Sequence, residues 1–269
     1  MASETAQAVH GFYQALHFNE GVSARADAAG FDAGALIAAQ LTSPLPGTAA
    51  VLSRCARGLI VDLGCGVGWL AAALSLAQPD AHVVGLDFSE RALAHAEAVR
   101  VALGAPARFQ RWDILGPEPS GYEGAADLVV SIGALHHTGA FPRALERCLG
   151  LAKPGGRVVV GLYHAHRRAP FLDHMAALEG ADRERRRAAY FALDRRSSDP
   201  VRRESWYLDQ VEHPHETQHT LAEVLALADA AGVHIENTIT GAVLPAPDAL
   251  ARIEARQRRL GEKSLAEGR

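Results

Sequence analysis

The chain has 269 residues, enough for one large domain or for one domain with an inserted segment. Hydrophobic residues make up 48% of it and charged residues 22%, a composition typical of a globular protein with ample core material. The net charge of −4 at pH 7 argues against a protein that binds polyanions, because such proteins are usually basic on at least one face.

Targeting signals and cysteine usage indicate a cytoplasmic protein. The opening residues, "MASETAQAVHGFYQ", include Glu4 and no long apolar run, so no signal peptide is predicted. No uninterrupted apolar stretch of about 18 residues occurs, so no membrane span is predicted. Cys55, Cys65 and Cys148 are few, odd in number and unpaired by spacing, which favours reduced thiols over a disulfide framework.

Helices are predicted before residue 57 and a regular strand–helix alternation after it. "FDAGALIAAQL" and "GTAAVLSRCA" are short helical patterns on either side of the break "TSPLPG". Five short apolar runs then follow, each predicted to be a strand: "GLIVDLG", "AHVVGLDFS", "ARFQRWDI", "ADLVVSIGAL" and "RVVVGLY". Helical patterns separate them, and Ser89 is placed to cap the helix after the second strand. This alternation predicts an α/β sandwich with a mostly parallel sheet.

The alternation stops after Tyr163. Residues 164–218 carry ten arginines and no lysine against ten acidic residues, so we predict helices with a solvated charged face and not a nucleic-acid surface. The α/β pattern resumes with the helix "TLAEVLALADAAG" and a sixth strand, "VHIENTI". Ligands of open α/β sheets bind beyond the carboxyl ends of the strands, so we expect the insert to roof the site.

These patterns define the predicted domain boundaries. They are an N-terminal helical lid over residues 1–56, an α/β domain over 57–163 and 219–245, a helical insert over 164–218, and a C-terminal helix over 246–269. A seventh strand has one candidate, "GAVLPAP".

A glycine-rich turn follows the first predicted strand. "VDLGCGVG" places Gly64, Gly66 and Gly68 between strand and helix, where the missing Cβ allows a tight turn and close approach to a ligand. Asp87 ends the second strand, where an acid can accept hydrogen bonds from both ribose hydroxyls. The G-x-G-x-G spacing differs from the G-x-G-x-x-G of dinucleotide folds, so an adenosine-containing ligand is favoured over NAD. The alternative is a strand–helix turn with no ligand.

Several motifs in this order resemble those of the class I S-adenosylmethionine-dependent methyltransferases of the bacterial small-molecule type. The resemblance spans about residues 55–240 and rests on "VDLGCGVG", "GLDFS", "WDI", "DLVVSIGALHHTG" and "LAKPGGRVVVGLY". It implies a Rossmann-like sandwich with strand order 3-2-1-4-5-(7)-6 and S-adenosylmethionine as the cofactor. "VGLYH" and "WYLDQVEHPHETQHT" are also similar to a subgroup with Leu-Tyr-Asn and His-Pro-His-Glu patterns, in which His164 here replaces the Asn.

The resemblance also implies cofactor contacts, residue by residue. The methionine portion would be held by Asp62 and by the backbone of Gly64, Cys65, Gly66 and Gly68, and the ribose would be held by Asp87. Phe88 would cover one face of the adenine, and Asp113 with Ile114 would meet its edge. Ser131 to Gly133 would line the floor below the sulfonium.

Catalysis of methyl transfer depends mainly on holding a nucleophile in line with the methyl group. A base is needed only if the nucleophile must lose a proton. The predicted catalytic residues are His136, His137, Tyr163 and His215, although the first two can also simply hold their loop. The predicted substrate contacts are Tyr13, Asn19, His164, Trp206, Gln210 and Glu216.

The stretch "DQVEHPHETQH" raises the question of a metal site. His215 and His219 are four residues apart, a spacing at which two histidines on a helix can share a metal. No cysteine or carboxylate cluster completes a tetrahedral set nearby, and methyl transfer needs no metal. We therefore predict no metal and interpret His215 and Glu216 as pocket residues that Pro214 aims.

Other functions remain open at this stage. The same cofactor supports intramolecular cyclisation or aminocarboxypropyl transfer, which release methylthioadenosine instead of S-adenosylhomocysteine. A non-catalytic binding module or an RNA methyltransferase is a further alternative, which the balanced charge disfavours because phosphate contacts need a basic excess. The predicted partner is a small molecule, with no nucleic acid and no membrane.

Overall fold

The computed structural model describes residues 4–16, 28–45, 47–195, 198–239 and 247–267. The chain divides into two compact units. The first unit comprises Met1–Leu162 with Pro214–Glu216, and the second comprises Tyr163–His213 with Thr217–Arg269.

A five-stranded sheet organises the first unit, and all of its neighbouring strands are parallel, in the order β3-β2-β1-β4-β5. The strands are β1 (Leu59–Leu63), β2 (His82–Asp87), β3 (Arg108–Arg111), β4 (Ala126–Ile132) and β5 (Ala152–Gly161). The helices are α1 (Glu4–Ala15), α2 (Ala33–Ile37), α3 (Gly47–Arg54), α4 (Trp69–Ala77), α5 (Glu90–Leu103) and α6 (Phe141–Leu151). The predicted α/β sandwich and its first five strand positions are confirmed.

The central strands are buried on both faces. Ile60 and Val61 of β1, with Leu128 and Val129 of β4, expose none of their surface, and Ile60 pairs with Leu128 in register. Continuous apolar runs are typical of parallel strands covered by helices on both sides. Because burying one such side chain contributes about 1.5–3 kcal/mol, the apolar runs fix which strands lie at the centre.

Local signals set the helix ends, and the predicted cap at Ser89 is present. The Ser89 hydroxyl accepts the N–H of Ala92 at 3.2 Å and so caps α5. Gly104, in a left-handed conformation with φ of 63°, ends the same helix. The helix predicted from "FDAGALIAAQL" is present as α2, and its last turn, Ala38–Thr42, is π-helical.

The second unit is helical in the part of it that the structure describes. Its helices are α7 (Ala165–Ala176), α8 (Arg183–Leu193), α9 (Pro200–Val211), α10 (Leu221–Ala230) and α11 (Pro247–Glu267). Thr220 caps α10, in a capping box with Glu223. The predicted position of residues 164–218 over the site stays a prediction. No described helix is long and apolar enough to cross a membrane.

Helix α11 packs closely against α7. A Cβ added to Gly261 would lie 2.2 Å from the carbonyl oxygen of Arg167, so only glycine allows this approach. Nearby, Nε2 of His166 lies 2.8 Å from Oε2 of Glu254 and joins the two helices.

The predicted sixth strand is wrong. Residues 233–239 contain no strand beyond an isolated bridge position at Thr238. Val233 and Ile239 are 37% and 59% exposed, so the alternating apolar face of "VHIENTI" is not buried and gains little from pairing. Thr217–Arg269 groups with the second unit, and the assignment of residues 219–245 to the α/β domain stays a prediction. The candidate seventh strand lies outside the described residues except for Pro247, which begins α11.

Candidate functional site

A cavity opens in the first unit where β1, β2 and β4 end. Three stretches of chain that follow these strands line it, together with one face of α1. The lining includes Val9, Tyr13, Leu16, Asp62, Gly64, Cys65, Gly66, Asp87, Phe88, Ile114, Gly133, Ala134, His137 and Thr138. This is the edge at which ligands of open α/β sheets bind.

The glycines of the turn after β1 serve different purposes. Gly66 has φ of +51°, lines the cavity, and has no atom within 4 Å of the position where a Cβ would stand. Gly68 has φ of +81° and lies outside the lining, and a Cβ there would be 2.6 Å from the Phe109 ring and 2.7 Å from Ala96. Gly66 thus leaves space for a ligand, whereas Gly68 allows α4 to pack. The predicted cofactor contact of Gly68 is not supported by this placement.

Asp87 connects the turn to the end of β2. Its Oδ2 accepts the N–H of Gly66 at 2.9 Å, and its Oδ1 accepts the N–H of Ser89 at 2.8 Å. Burial raises the pKa of Asp87 above its ordinary value, and these backbone donors offset part of the rise. Each oxygen has further accepting capacity, so the carboxylate can also take hydroxyl donors from a ligand.

Asp62 is a buried acid whose hydrogen-bonding capacity is only partly used by the described residues. Its side chain is 3% exposed, and Oδ2 has no hydrogen-bond partner among the described residues. Burial, with a smaller contribution from the nearby charge of Asp87, raises the pKa of Asp62 to about 7. A hydrogen bond from the backbone of Ala71, in the first turn of α4, offsets part of this rise. A cationic donor such as an ammonium group would neutralise the charge and fill the vacant acceptor.

The chain after β3 places alternate side chains at the cavity. Trp112 and Ile114 line it, whereas Asp113 is exposed and its Oδ1 accepts the N–H of Leu115 at 2.9 Å. Asp113 begins a turn after β3, in which its backbone carbonyl accepts the N–H of Gly116 at 3.0 Å. The predicted contact of Asp113 with the adenine edge is not supported by this placement.

Ser131 lies one layer below the cavity. It is fully buried in β4, and its hydroxyl donates to the carbonyl oxygen of Leu63 at 3.0 Å. This bond ties β4 to the end of β1, where the glycine turn begins. The lining at this strand end consists instead of Ile132 and Gly133, so the predicted cofactor contact of Ser131 is not supported either.

Two adjacent histidines follow β4 in a single 3-10 turn, Leu135–His137. Both are buried, with ring centroids 4.3 Å apart, but only His137 lines the cavity. Nδ1 of His137 lies 3.2 Å from the carbonyl oxygen of His215, in the short segment Pro214–Glu216 of the first unit. The Tyr13 ring stands edge-on to His137, with centroids 6.3 Å apart.

The remaining predicted catalytic and substrate residues are distributed over the two units. Tyr163, His164, Trp206 and Gln210 belong to the second unit, His215 and Glu216 to the first, and Asn19 lies outside the described residues. In the second unit, the Gln210 amide donates to the Tyr163 hydroxyl, and the Arg168 guanidinium stacks 4.4 Å from the Tyr163 ring. Burial lowers the pKa of His164. Roles for these residues in catalysis or substrate binding stay predictions.

Sequence reasoning missed several lining residues. Val9 and Leu16 line the cavity beside Tyr13, at positions i, i+4 and i+7 of α1, and this spacing alone marks one helix face. Ser89, predicted only as a helix cap, also lines the cavity. Thr138 directly follows the two histidines, and no sequence motif marks it as a lining residue.

Metal ligands do not assemble in the part of the chain that the structure describes. No group of three or more His, Cys, Asp or Glu side chains there is placed to hold an ion.

Comparisons with known proteins find similarity over part of the chain. A family profile described as "Methyltransferase domain" matches residues 61–158. A demethylmenaquinone methyltransferase from Thermus thermophilus is 37% identical over 102 residues, which cover 38% of this chain and 45% of that protein. A ribosomal RNA large subunit methyltransferase G from Streptomyces coelicolor is 37% identical over 113 residues, 39% of this chain and 29% of that one. This chain thus spans less than half the length of these curated relatives.

Among solved structures, PKMT2 from Rickettsia typhi in complex with AdoHcy is similar in fold. The TM-score is 0.57 over 82% of this chain and 50% of that chain, at 12% sequence identity. This likeness extends beyond the segment that the sequence comparisons cover, and at such low identity it concerns the fold alone.

Proposed function

We propose that this protein is a class I S-adenosylmethionine-dependent methyltransferase that transfers a methyl group from S-adenosylmethionine to a small-molecule acceptor, a proposal that the methyltransferase-domain profile over residues 61–158 supports. One observation carries the proposal. Two acids, the buried Asp62 and the half-buried Asp87, stand at the ends of neighbouring strands beside an open glycine turn. One of them has a carboxylate oxygen without a partner, and the other has accepting capacity to spare.

The residues of the cavity fit the chemical groups of this cofactor. Asp62 would hold the ammonium of the methionine portion, and Asp87 would accept the two ribose hydroxyls. The space beside Gly66 would admit the methionine backbone, and Phe88 with Ile114 would cover the adenine. When bound, S-adenosylmethionine supplies a methyl group activated by the neighbouring sulfonium.

A small molecule is the acceptor that the cavity supports best. One face of α1 lines it through Val9, Tyr13 and Leu16, so the lining is largely apolar with a few polar groups, as small-molecule sites are. None of the described residues that line it is a lysine or an arginine, and the chain carries a net charge of −4, whereas RNA binding needs a basic excess. The compartment that we propose is the cytoplasm, because Cys55, Cys65 and Cys148 are free thiols.

Binding and product analysis test this proposal. Calorimetry of the full chain should find one site for S-adenosylmethionine and one for S-adenosylhomocysteine, and turnover should release S-adenosylhomocysteine. Release of methylthioadenosine would point to cyclisation or aminocarboxypropyl transfer and would contradict methyl transfer. A structured RNA that binds tightly at low salt, and whose affinity falls steeply with salt, would contradict the small-molecule acceptor.

A further inference from the structure

The hydrogen bond between His137 and the backbone of His215 fixes where the imidazole carries its proton. Nδ1 of His137 lies 3.2 Å from the carbonyl oxygen of His215. A carbonyl oxygen can only accept, so Nδ1 must carry the hydrogen. In the neutral ring the lone pair then belongs to Nε2, because one imidazole nitrogen donates and the other accepts.

Resting on the proposed methyl transfer, we infer that His137 takes the proton of the acceptor through Nε2. The acceptor group is then one that carries a proton, a hydroxyl or an amine, and not a carboxylate. His137 is suitably placed because it lines the cavity beyond β4 with Gly133 and Ala134. It is also only 4% exposed, so bulk water does not compete freely for the proton.

The segment that holds His137 is restrained by its own sequence. Pro214 has a fixed φ, and Pro214–Glu216 groups with the first unit while the residues on either side of it do not. The carbonyl of His215 is therefore held as part of the unit that contains the cavity. The His-Pro-His-Glu stretch contributes a backbone acceptor that orients His137, which makes it a positioning element.

The charge of the cavity independently disfavours a carboxylate acceptor. Asp62 and Asp87 line it, the first buried and the second half-buried. No lysine or arginine is found among the described residues of the lining, so a third carboxylate would lose its hydration without gaining a counter-ion. A neutral hydroxyl or an amine has no such cost, and each offers a hydrogen to Nε2.

The proposed step balances in atoms and charge. The lone pair of the acceptor oxygen or nitrogen bonds to the methyl carbon as the carbon–sulfur bond breaks, the electron pair stays on sulfur, and the acceptor proton passes to Nε2 of His137. The imidazolium formed still donates Nδ1–H to the His215 carbonyl, which stabilises it. His137 returns to its neutral form when water takes the Nε2 proton after the products leave.

Nitrogen-15 NMR of the full chain bound to S-adenosylhomocysteine tests the tautomer without any acceptor. The His137 signals, assigned by their absence in His137→Asn, should show a protonated Nδ1 and an unprotonated Nε2 near neutral pH. A ring protonated at Nε2 alone, or at both nitrogens, would overturn the inference. Loss of S-adenosylhomocysteine binding in the unaltered protein would instead contradict the proposed function, so the two failures are distinguishable.

Matched variants separate the chemical role of His137 from a structural one. In His137→Asn the side-chain amide can replace Nδ1–H on the His215 carbonyl, whereas His137→Gln places an amide near Nε2 and abandons that bond. We expect His137→Asn to keep its melting temperature and its affinity for S-adenosylhomocysteine while losing turnover by about 10²–10⁴-fold. Retained turnover in His137→Asn would overturn the proton-acceptor role.

Acceptor probes of similar size test the substrate class. Catechol carries two hydroxyls on a benzene ring, phenethylamine carries an amine on a two-carbon chain, and benzoate carries a carboxylate. Methylation of catechol or phenethylamine, with none of benzoate, supports the inference. Preferential methylation of benzoate would overturn it, and if no probe reacts the NMR result decides.

Discussion

Asp87 accepts the backbone N–H of Gly66 at 2.9 Å, so the side chain that ends β2 also holds the glycine turn that follows β1. A second backbone donor, the N–H of Ser89, binds its other oxygen at 2.8 Å. The carboxylate therefore stands in a fixed orientation before any ligand arrives, which lowers the entropy cost of binding.

Replacing Asp87 tests its proposed contact with the ribose. Asp87→Ala should weaken the binding of S-adenosylmethionine by about 2–4 kcal/mol, because the ribose hydroxyls lose a charged acceptor and the turn loses its support. Asp87→Asn keeps one acceptor oxygen and should lose less. Calorimetry measures both variants, and an unchanged dissociation constant in Asp87→Ala would rule out this contact.

Replacing Asp62 should have opposite effects on the stability of the ligand-free protein and on its affinity for the cofactor. Its folded pKa of about 7 lies above the ordinary 3.8, so its unfavourable contribution to folding is absent below pH 4, grows as the pH rises, and levels off above 7. Asp62→Asn should therefore stabilise the ligand-free protein at pH 8, by on the order of 2–4 kcal/mol, and by less at pH 5. The same variant should lose affinity for S-adenosylmethionine. Thermal unfolding at both pH values checks the first effect, and a destabilised variant would contradict it.

The affinity for the cofactor should depend on pH through Asp62. An ammonium ligand binds the ionised carboxylate, so binding below pH 7 must first remove a proton from Asp62, whose pKa is about 7. Affinity should rise between about pH 5.5 and 7, a range below the ordinary pKa of the ligand's amino group near 8. Calorimetry in buffers of different ionisation enthalpy should detect the released proton. A flat profile would show that Asp62 is already ionised or makes no contact.

The two glycines at the end of the turn should respond differently to alanine. Gly66→Ala should cost about 1–2 kcal/mol of stability, the strain of a left-handed residue, and should also reduce cofactor affinity because its methyl group enters the open space. Gly68→Ala carries the same strain and adds overlaps with Phe109 and Ala96, so it should destabilise the protein more. Unfolding and binding measurements on both variants check this. Equal stability of the two would contradict the packing role of Gly68.

The pairing of α7 with α11 depends on Gly261. Gly261→Ala should destabilise the second unit, because the new methyl group would meet the Arg167 carbonyl oxygen at 2.2 Å. Gly11→Ala is the matched control, since Gly11 is an exposed helical glycine with no atom near its Cβ position. The control should gain about 0.5–1 kcal/mol from improved helix propensity. Denaturant unfolding compares the two, and a neutral Gly261→Ala would mean that α11 packs elsewhere.

The sequence by itself determined the sheet and the positions of the two acids that we propose bind the cofactor. Apolar runs separated by helices predict parallel strands, and the carboxyl ends of parallel strands meet at one edge. Asp62 and Asp87 each lie at such an end, so their convergence follows from their positions in the chain.

Tertiary structure decided which neighbouring residues reach the cavity. Adjacent side chains beyond a strand end can point in different directions, since Trp112 lines the cavity whereas Asp113 is exposed. The residues 233–239 have the pattern of a strand but not its burial, and burial depends on what packs against them. The contact of His215 with His137 uses a backbone carbonyl, which every residue has. A sequence pattern marks side chains, so only the folded chain identifies which carbonyl orients the histidine.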